Sequence, residues 1–410
     1  MDTNNKSKDI TIQYSLVQAS YWMGFACISA FSSVYLLSIG ISNSLIGITL
    51  ALGALVSAII QPYVGILIDH HPKITTKKIL LMASIIIILL ALLLYPVSRG
   101  VPVIVPLMYG FLMLLLQLAQ PFSNSIGMAS INAGYKLHFG PARAIGSLGY
   151  ALVALVLGKI AEARGGNVVP GFIAISFTLT MIFLFIYPLR EENNIGLHNN
   201  EENQDSKRPG LMDFFKKYKA LGIMTAGLVF IFFSHVVLNS FGLQIIETKG
   251  GSSESMGVAT AISATIEVVP MFLFPILKKR FKVSDLLKLS AVFFTLKVLV
   301  TLLAPNIMAY YLAQGCQMLG WGIMAVAIVY YVNDIVDEKD TAQGQAYSGM
   351  ALTIGNVLGN LVGGKVIDSL GINALLILGF VAAFFGTCIF FSGINMSVNR
   401  KETETYGKTH

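Results

Sequence analysis

Uncharged, apolar stretches long enough to cross a bilayer recur along almost the whole of this chain, and no other feature constrains its fold as tightly. A hydrocarbon core takes about 20 residues of helix to cross and holds no water to satisfy exposed backbone, so such stretches fold as spanning helices. Set against their Gly, Pro and charged punctuation, the runs number twelve: 12–38, 44–69, 77–98, 102–133, 142–163, 168–189, 217–247, 252–279, 284–304, 306–335, 341–369 and 371–398. They are called spans 1 to 12 below. The fold class expected is an all-α polytopic membrane protein, and composition agrees: 55% of the 410 residues are apolar and only 12% are charged.

Basic residues set the orientation. With the N-terminus in the cytoplasm, only Arg99, Lys159, Arg164, Lys249 and Lys365 fall on the outer side and Lys297 within the membrane; every other Lys and Arg lies inside. The positive-inside rule therefore predicts a multi-pass cell-membrane protein with both termini cytoplasmic. The net charge of +7 follows from that bias, because basic loops face anionic lipid, and it implies no nucleic-acid partner. The first nine residues are polar and the run behind them is too long for a signal-peptide core, so insertion by the protein's own helices is expected. Cys27, Cys316 and Cys388 lie far apart in apolar segments, which fits buried thiols better than a disulfide or a metal site. No nucleotide-binding loop, metal-spaced His/Cys cluster or nucleophile motif stands out. The expectation is no enzyme, no cofactor and no metal.

Residues 190–219 form the one long polar segment and divide the spans six and six. The domains read as a first six-helix bundle (1–190), a cytoplasmic linker (191–216) and a second six-helix bundle (217–410), with a short amphipathic helix around Leu211 to Tyr218. An internal repeat supports the division. Shifting 148–165 onto 354–371 matches Gly149/Gly355, Leu152/Leu358, Leu155/Leu361, Val156/Val362, Gly158/Gly364, Lys159/Lys365 and Gly165/Gly371. A parallel duplication about an axis along the membrane normal is the pattern of secondary transporters whose halves rock about a midplane site.

Two charges sit where hydrocarbon is expected: Glu267 in span 8 and Lys297 in span 9. Each costs about 2.5–3.5 kcal/mol on insertion scales, so each is expected to face a partner or an aqueous cavity. Glu267 is the one acid deep in any span and the candidate proton site, with Lys297 as its coupled base. The alternative is that the two form a permanent structural pair. Arg143, Ser147 and Tyr150 are spaced i, i+4, i+7 and share a helix face. A guanidinium fork donates to paired hydroxyls, a carboxylate accepts from them, and an aromatic ring is a platform for the apolar face of a sugar, so this set suits a polyol. Packing for Tyr150 and a helix-start charge for Arg143 are the plainer readings. His235 with Asn239, Gln314 with Gln317, and Asn356 with Asn360 are further polar pairs at helical spacing, and each serves either substrate or helix packing.

Gln61-Pro62-Tyr63-Val64-Gly65-Ile66-Leu67-Ile68-Asp69, followed by Lys77 and Lys78, resembles the major facilitator loop between helices 2 and 3. The resemblance implies that Gly65 allows tight packing and that Asp69, Lys77 and Lys78 form an inward-side conformational latch, with His70-His71-Pro72 a departure from the usual pattern. Tyr21 to Asp69, Phe139 to Tyr150, Glu267-Val268-Val269-Pro270 and Gly363-Gly364 resemble the lactose permease and nucleoside:proton symporter branch of that superfamily. This implies a pseudo-symmetric twelve-helix fold and proton-coupled import of a neutral, hydroxyl-rich solute. By the same resemblance Arg143 binds substrate hydroxyls, Tyr150 stacks on sugar or base, and Glu267 is the acid of that pocket. Gln317 and Gly320 stand where the permease carries a titratable pair on helix 10, so proton coupling does not carry over there.

The function expected is secondary active import of a sugar or oligosaccharide by proton symport with alternating access. A nucleoside:proton symporter is the alternative, and a drug or metabolite efflux antiporter the reading from another class. The partners implied are a small solute, a proton and the bilayer, with the protein expected to act as a monomer.

Overall fold

A computed structural model of the chain describes residues 9–70, 75–188, 211–337 and 340–406, except for the side chains of 66–70, 211, 342 and 399–406. Among the described residues ten helices are long and apolar enough to cross a membrane, or eleven when the pair bent by 46°, Thr11–Ala30 with Ser32–Ser38, is counted as one span. The longest of the ten, Gln343–Val398, breaks at Gly371 into what the sequence reads as spans 11 and 12. The other bounds follow the expected ones: Asn43–His70, Thr76–Gly100, Val105–Asn132, Phe139–Arg164, Val169–Ile186, Lys219–Ser240 and Val283–Leu303. The short helix after the linker is Leu211–Lys217.

The side chains are arranged for lipid. Large apolar groups such as Leu107, Leu312, Ile59 and Phe384 are exposed, while Gln18, Ser84, Ser130, Thr180 and Thr301 are buried. Apolar burial gives no net drive to helix association in hydrocarbon, so dispersion and polar contacts hold the helices together. Many buried hydroxyls close on their own helix, as Ser84 Oγ donates to the Leu80 carbonyl (2.7 Å) and Thr180 Oγ1 to that of Ser176 (3.0 Å). Tyrosines satisfy carbonyls at irregular turns. Ala26–Ala30 of span 1 is a π-helical turn, and the Tyr109 hydroxyl donates to the Ile28 carbonyl within it at 2.9 Å.

Packing divides the described residues into two compact units: those within Met1–Ser206 together with Ser252–Ala264, and those within Lys207–Gly251 and Thr265–His410. The first part of span 8 thus belongs with the N-terminal helices. Gly158 and Gly257 meet there almost backbone to backbone; a Cβ on Gly257 would lie 2.4 Å from the Ala154 carbonyl oxygen and 3.1 Å from the Gly158 Cα. One turn further out, Glu162 Oε2 accepts from the Ser253 amide at 3.0 Å, capping the start of span 8.

The two glycines that end the repeated segment share one backbone conformation. Gly165 has φ +82° and ψ 168°, and Gly371 φ +83° and ψ 175°, a region essentially closed to any residue with a Cβ. Gly40 and Gly250, at φ +82° and +77°, close spans 1 and 7 with their own hydrogen-bond pattern. Each donates to the carbonyl three residues back, and the next amide donates to the carbonyl five back.

Candidate functional site

In the second unit, three side chains from three spans form one chain of hydrogen bonds. Lys297, 3% exposed, donates from Nζ to Gln317 Oε1 at 2.8 Å, and Gln317 donates from Nε2 to Glu267 Oε2 at 3.1 Å. Among the described residues Lys297 reaches Glu267 through Gln317 rather than by a direct ion pair. The expected acid and base are therefore near one another, with an amide between them.

Helix breaks build this arrangement. Span 8 is interrupted at Glu267, between Ser253–Ile266 and Val268–Arg280. Pro270 explains the interruption, because it lacks the N–H that would bond the Ile266 carbonyl and its ring crowds the preceding turn. Span 10 is broken twice, into Ile307–Gln314, Cys316–Leu319 and Trp321–Ile335, and Ser290 Oγ donates to the Gly320 carbonyl at the second break (2.6 Å). Gly322 lets span 10 lie against the break in span 8: a Cβ there would meet the Glu267 carbonyl oxygen at 2.8 Å and Pro270 Cγ at 2.6 Å. Irregular backbone at membrane depth is a feature of transporter sites.

An aromatic group adjoins the chain. The His235 ring stacks on Trp321 with centroids 5.0 Å apart and planes 2° apart, and meets Phe294 edge-on at 5.3 Å. Asn239 Nδ2 and His235 Nε2 are hydrogen-bonded at 2.9 Å, and the buried Nδ1 has no hydrogen-bond partner among the described residues. His235 lies within electrostatic reach of Lys297. Of the other candidates, Gln314 is buried and its amide nitrogen lies 3.5 Å from the Tyr310 carbonyl in its own helix. Asn356 accepts from Asn360 Nδ2 on both its side-chain oxygen (2.8 Å) and its carbonyl (3.0 Å).

The first unit holds the span 5 candidates. The Arg143 guanidinium lies 4.0 Å over the Trp22 ring, and Gly146 makes room for the stack, since a Cβ there would come within 2.7 Å of Trp22 Cδ1. Trp22 Nε1 donates to Gln18 Oε1 (3.1 Å), and Gln18 Nε2 to the Tyr14 hydroxyl (2.9 Å) and the Ser123 carbonyl (2.8 Å). Tyr14, Gln18 and Trp22 repeat every four residues on span 1, a signal the sequence reading passed over. Ser147 is buried, and Tyr150 packs against Ala151, Ala261 and Ala264.

The latch expectation meets mixed geometry. Among the described residues nothing lies within 4 Å of a Cβ at Gly65, and the Asp69 side chain falls outside the described residues. Lys77 Nζ donates to the Tyr187 carbonyl at 2.9 Å, and the Lys78 amide donates to Thr75 Oγ1, which caps the helix. A second charged cluster, just before span 7 proper, was not anticipated. Lys217 Nζ sits 2.6 Å from both Asp337 Oδ2 and Asp340 Oδ2, and the Tyr218 hydroxyl donates to Asp340 at 2.8 Å. The two carboxylates hold the Lys217 ammonium well above its ordinary pKa.

Comparison with known proteins places the chain. It matches the model of the MFS_1 like family over residues 12–377. No curated protein sequence matches it. Among solved structures it is similar to an alanine variant of the nucleoside transporter NupG (TM-score 0.77, 15% identity, covering 95% of this chain and 100% of that one). Similar too are unaltered NupG (0.73, 16%, 94% and 98%) and a bacterial homologue of the iron transporter ferroportin in an inward-facing state (0.69, 12%, 94% and 98%). At these identities the likeness carries the fold alone, and with the family match it identifies the chain as a member of the MFS_1 like family with the major facilitator transporter fold.

Proposed function

We propose that the protein is a proton-coupled importer of a neutral solute that carries both hydroxyls and a planar ring, a nucleoside being the best match. The observation that carries this reading is the Glu267–Gln317–Lys297 chain, an acid and a base at membrane depth joined by one amide. Such groups are costly in hydrocarbon and mark pathways of protons or substrate. Glu267 is the proton site, and its carboxylate also accepts from substrate hydroxyls.

A nucleoside is favoured over a sugar by the flat indole–imidazole pair of Trp321 and His235, with the Asn239 amide beside it. The similarity to nucleoside transporter NupG supports the same choice. Within the first unit, Arg143, Ser147 and Tyr150 are the candidates for a guanidinium donor, a hydroxyl donor and an aromatic face toward a solute.

Counterflow in proteoliposomes tests the solute class. Labelled nucleosides are expected to exchange, and mono-, di- and trisaccharides are not. Exchange of a saccharide without any nucleoside would overturn the ring requirement and return the sugar reading, while exchange of neither class would remove both.

A further inference from the structure

We propose that Gln317 is a positioning residue acting as a neutral separator: it holds Lys297 at one end and Glu267 at the other, so that the ammonium stays satisfied while the carboxylate gains and loses a proton. The inference rests on the reading of Glu267 as the proton site.

An ammonium and a carboxylate in direct contact depend on each other. When such a pair is buried and the acid takes up a proton, the lysine loses its counter-charge and its acceptor together, and a stranded buried charge is heavily destabilising. A pair built that way resists titration. Here the acceptor of Lys297 is not the carboxylate but Gln317 Oε1, at 2.8 Å, and it stays in place whichever form Glu267 takes.

An amide has one accepting end and one donating end, and its orientation is set by the stronger demand. Lys297 can only donate, so it fixes Oε1 toward itself and thereby turns Nε2 toward Glu267. Reversing the amide would set its NH2 against the ammonium, donor to donor. Nε2 therefore faces Glu267 Oε2 in both protonation states: the carboxylate accepts from it, and the neutral acid accepts from it through the carbonyl oxygen while the proton sits on the other oxygen. Lys297 thus acts on Glu267 through the orientation of Gln317.

The surrounding frame keeps the amide in place. Gln317 lies in the short piece Cys316–Leu319, whose end is pinned by Ser290 at the Gly320 carbonyl, and the following Gly322 rests on the Glu267 backbone. Among the described residues the other titratable neighbours of Lys297 are His235 on span 7 and Cys316 on span 10, and the hydrogen bond of Lys297 goes to neither but to Gln317.

The test combines a stability cycle with a transport ratio. Gln317→Leu strands Lys297, so its Tm should drop, and adding Lys297→Met should recover it, because no ammonium is then left to satisfy. Equal Tm in Gln317→Leu and wild type, or no recovery in the double variant, overturns the separator. The second arm exchanges the two residues, as Glu267→Gln with Gln317→Glu, which puts the acid in direct contact with Lys297. It is read as the ratio of pH-driven accumulation to substrate exchange, so that a general loss of activity cancels, and that ratio should collapse. If the exchanged variant accumulates solute while Glu267→Gln alone does not, direct contact suffices and the separator is refuted. If Glu267→Gln alone accumulates solute, it is the proton-site reading that has failed, and the two failures are distinguishable. Should the exchanged variant be inactive in both assays, the stability cycle alone decides.

Discussion

Gly257→Ala should loosen the seating of span 8 on span 5, and the geometry gives the size of the effect. The new Cβ would lie 2.4 Å from the Ala154 carbonyl oxygen, 3.1 Å from the Gly158 Cα and 3.2 Å from the Ala154 carbonyl carbon. All three are backbone atoms, so no side chain can swing aside. Reaching ordinary contact requires the helices to part by about 1 Å, and overpacking of this kind costs about 1–3 kcal/mol. The displacement falls between two supports, the Glu162 cap at Ser253 and the Ala151, Ala261, Ala264 and Tyr150 contact, and it acts ten residues before Glu267. Thermal unfolding of the purified protein in detergent, with solute exchange in proteoliposomes, measures both consequences. Gly257→Ala should lower Tm and slow exchange, and Gly349→Ala, which meets nothing within 4 Å, should alter Tm little. Wild-type Tm and exchange in Gly257→Ala would refute the close contact.

Two further outcomes follow from the geometry. Arg143→Lys should weaken solute binding about tenfold or more although the charge is kept, because an ammonium reproduces neither the planar stack on Trp22 nor a bidentate grip; unchanged affinity in equilibrium binding would remove Arg143 from the site. Lys217→Met should lower Tm by releasing Asp337 and Asp340. The raised pKa of Lys217 means that its contribution is complete below the ordinary lysine value of 10.5 and is lost only as pH rises through the higher folded value. The Tm difference between wild type and Lys217→Met should therefore stay flat from about pH 6 to 9 and shrink in high salt, and a difference that vanishes within that range would contradict the cluster.

The fold was legible because hydrophobic length is a local signal. Span 5, expected over 142–163, is Phe139–Arg164, and the helix expected near Leu211 to Tyr218 is Leu211–Lys217. The matched Gly165 and Gly371 share a rare backbone conformation, which a side-chain-bearing residue could not have supplied. The site was legible in its charges and less so in its connections. Gln314 and Gln317 were grouped by i, i+3 spacing, and Gly315 between them keeps helical dihedrals (φ −56°, ψ −30°), yet Gln314 stays near its own helix backbone while Gln317 reaches Lys297 and Glu267, a difference in partners that spacing does not report. Trp22 under Arg143 joins residues more than a hundred positions apart, and no spacing pattern reports that.

Glu267→Gln in proteoliposomes, assayed for solute exchange and for accumulation under an imposed pH step, tests the central claim most directly. The glutamine keeps an oxygen for Gln317 Nε2 and leaves Lys297 bonded to Gln317 Oε1, so the variant should fold with a Tm near that of wild type. It imitates the protonated acid, and the account predicts that solute still exchanges down its gradient while the pH step drives no accumulation. Accumulation against the gradient in Glu267→Gln, at a level comparable to wild type, would contradict it.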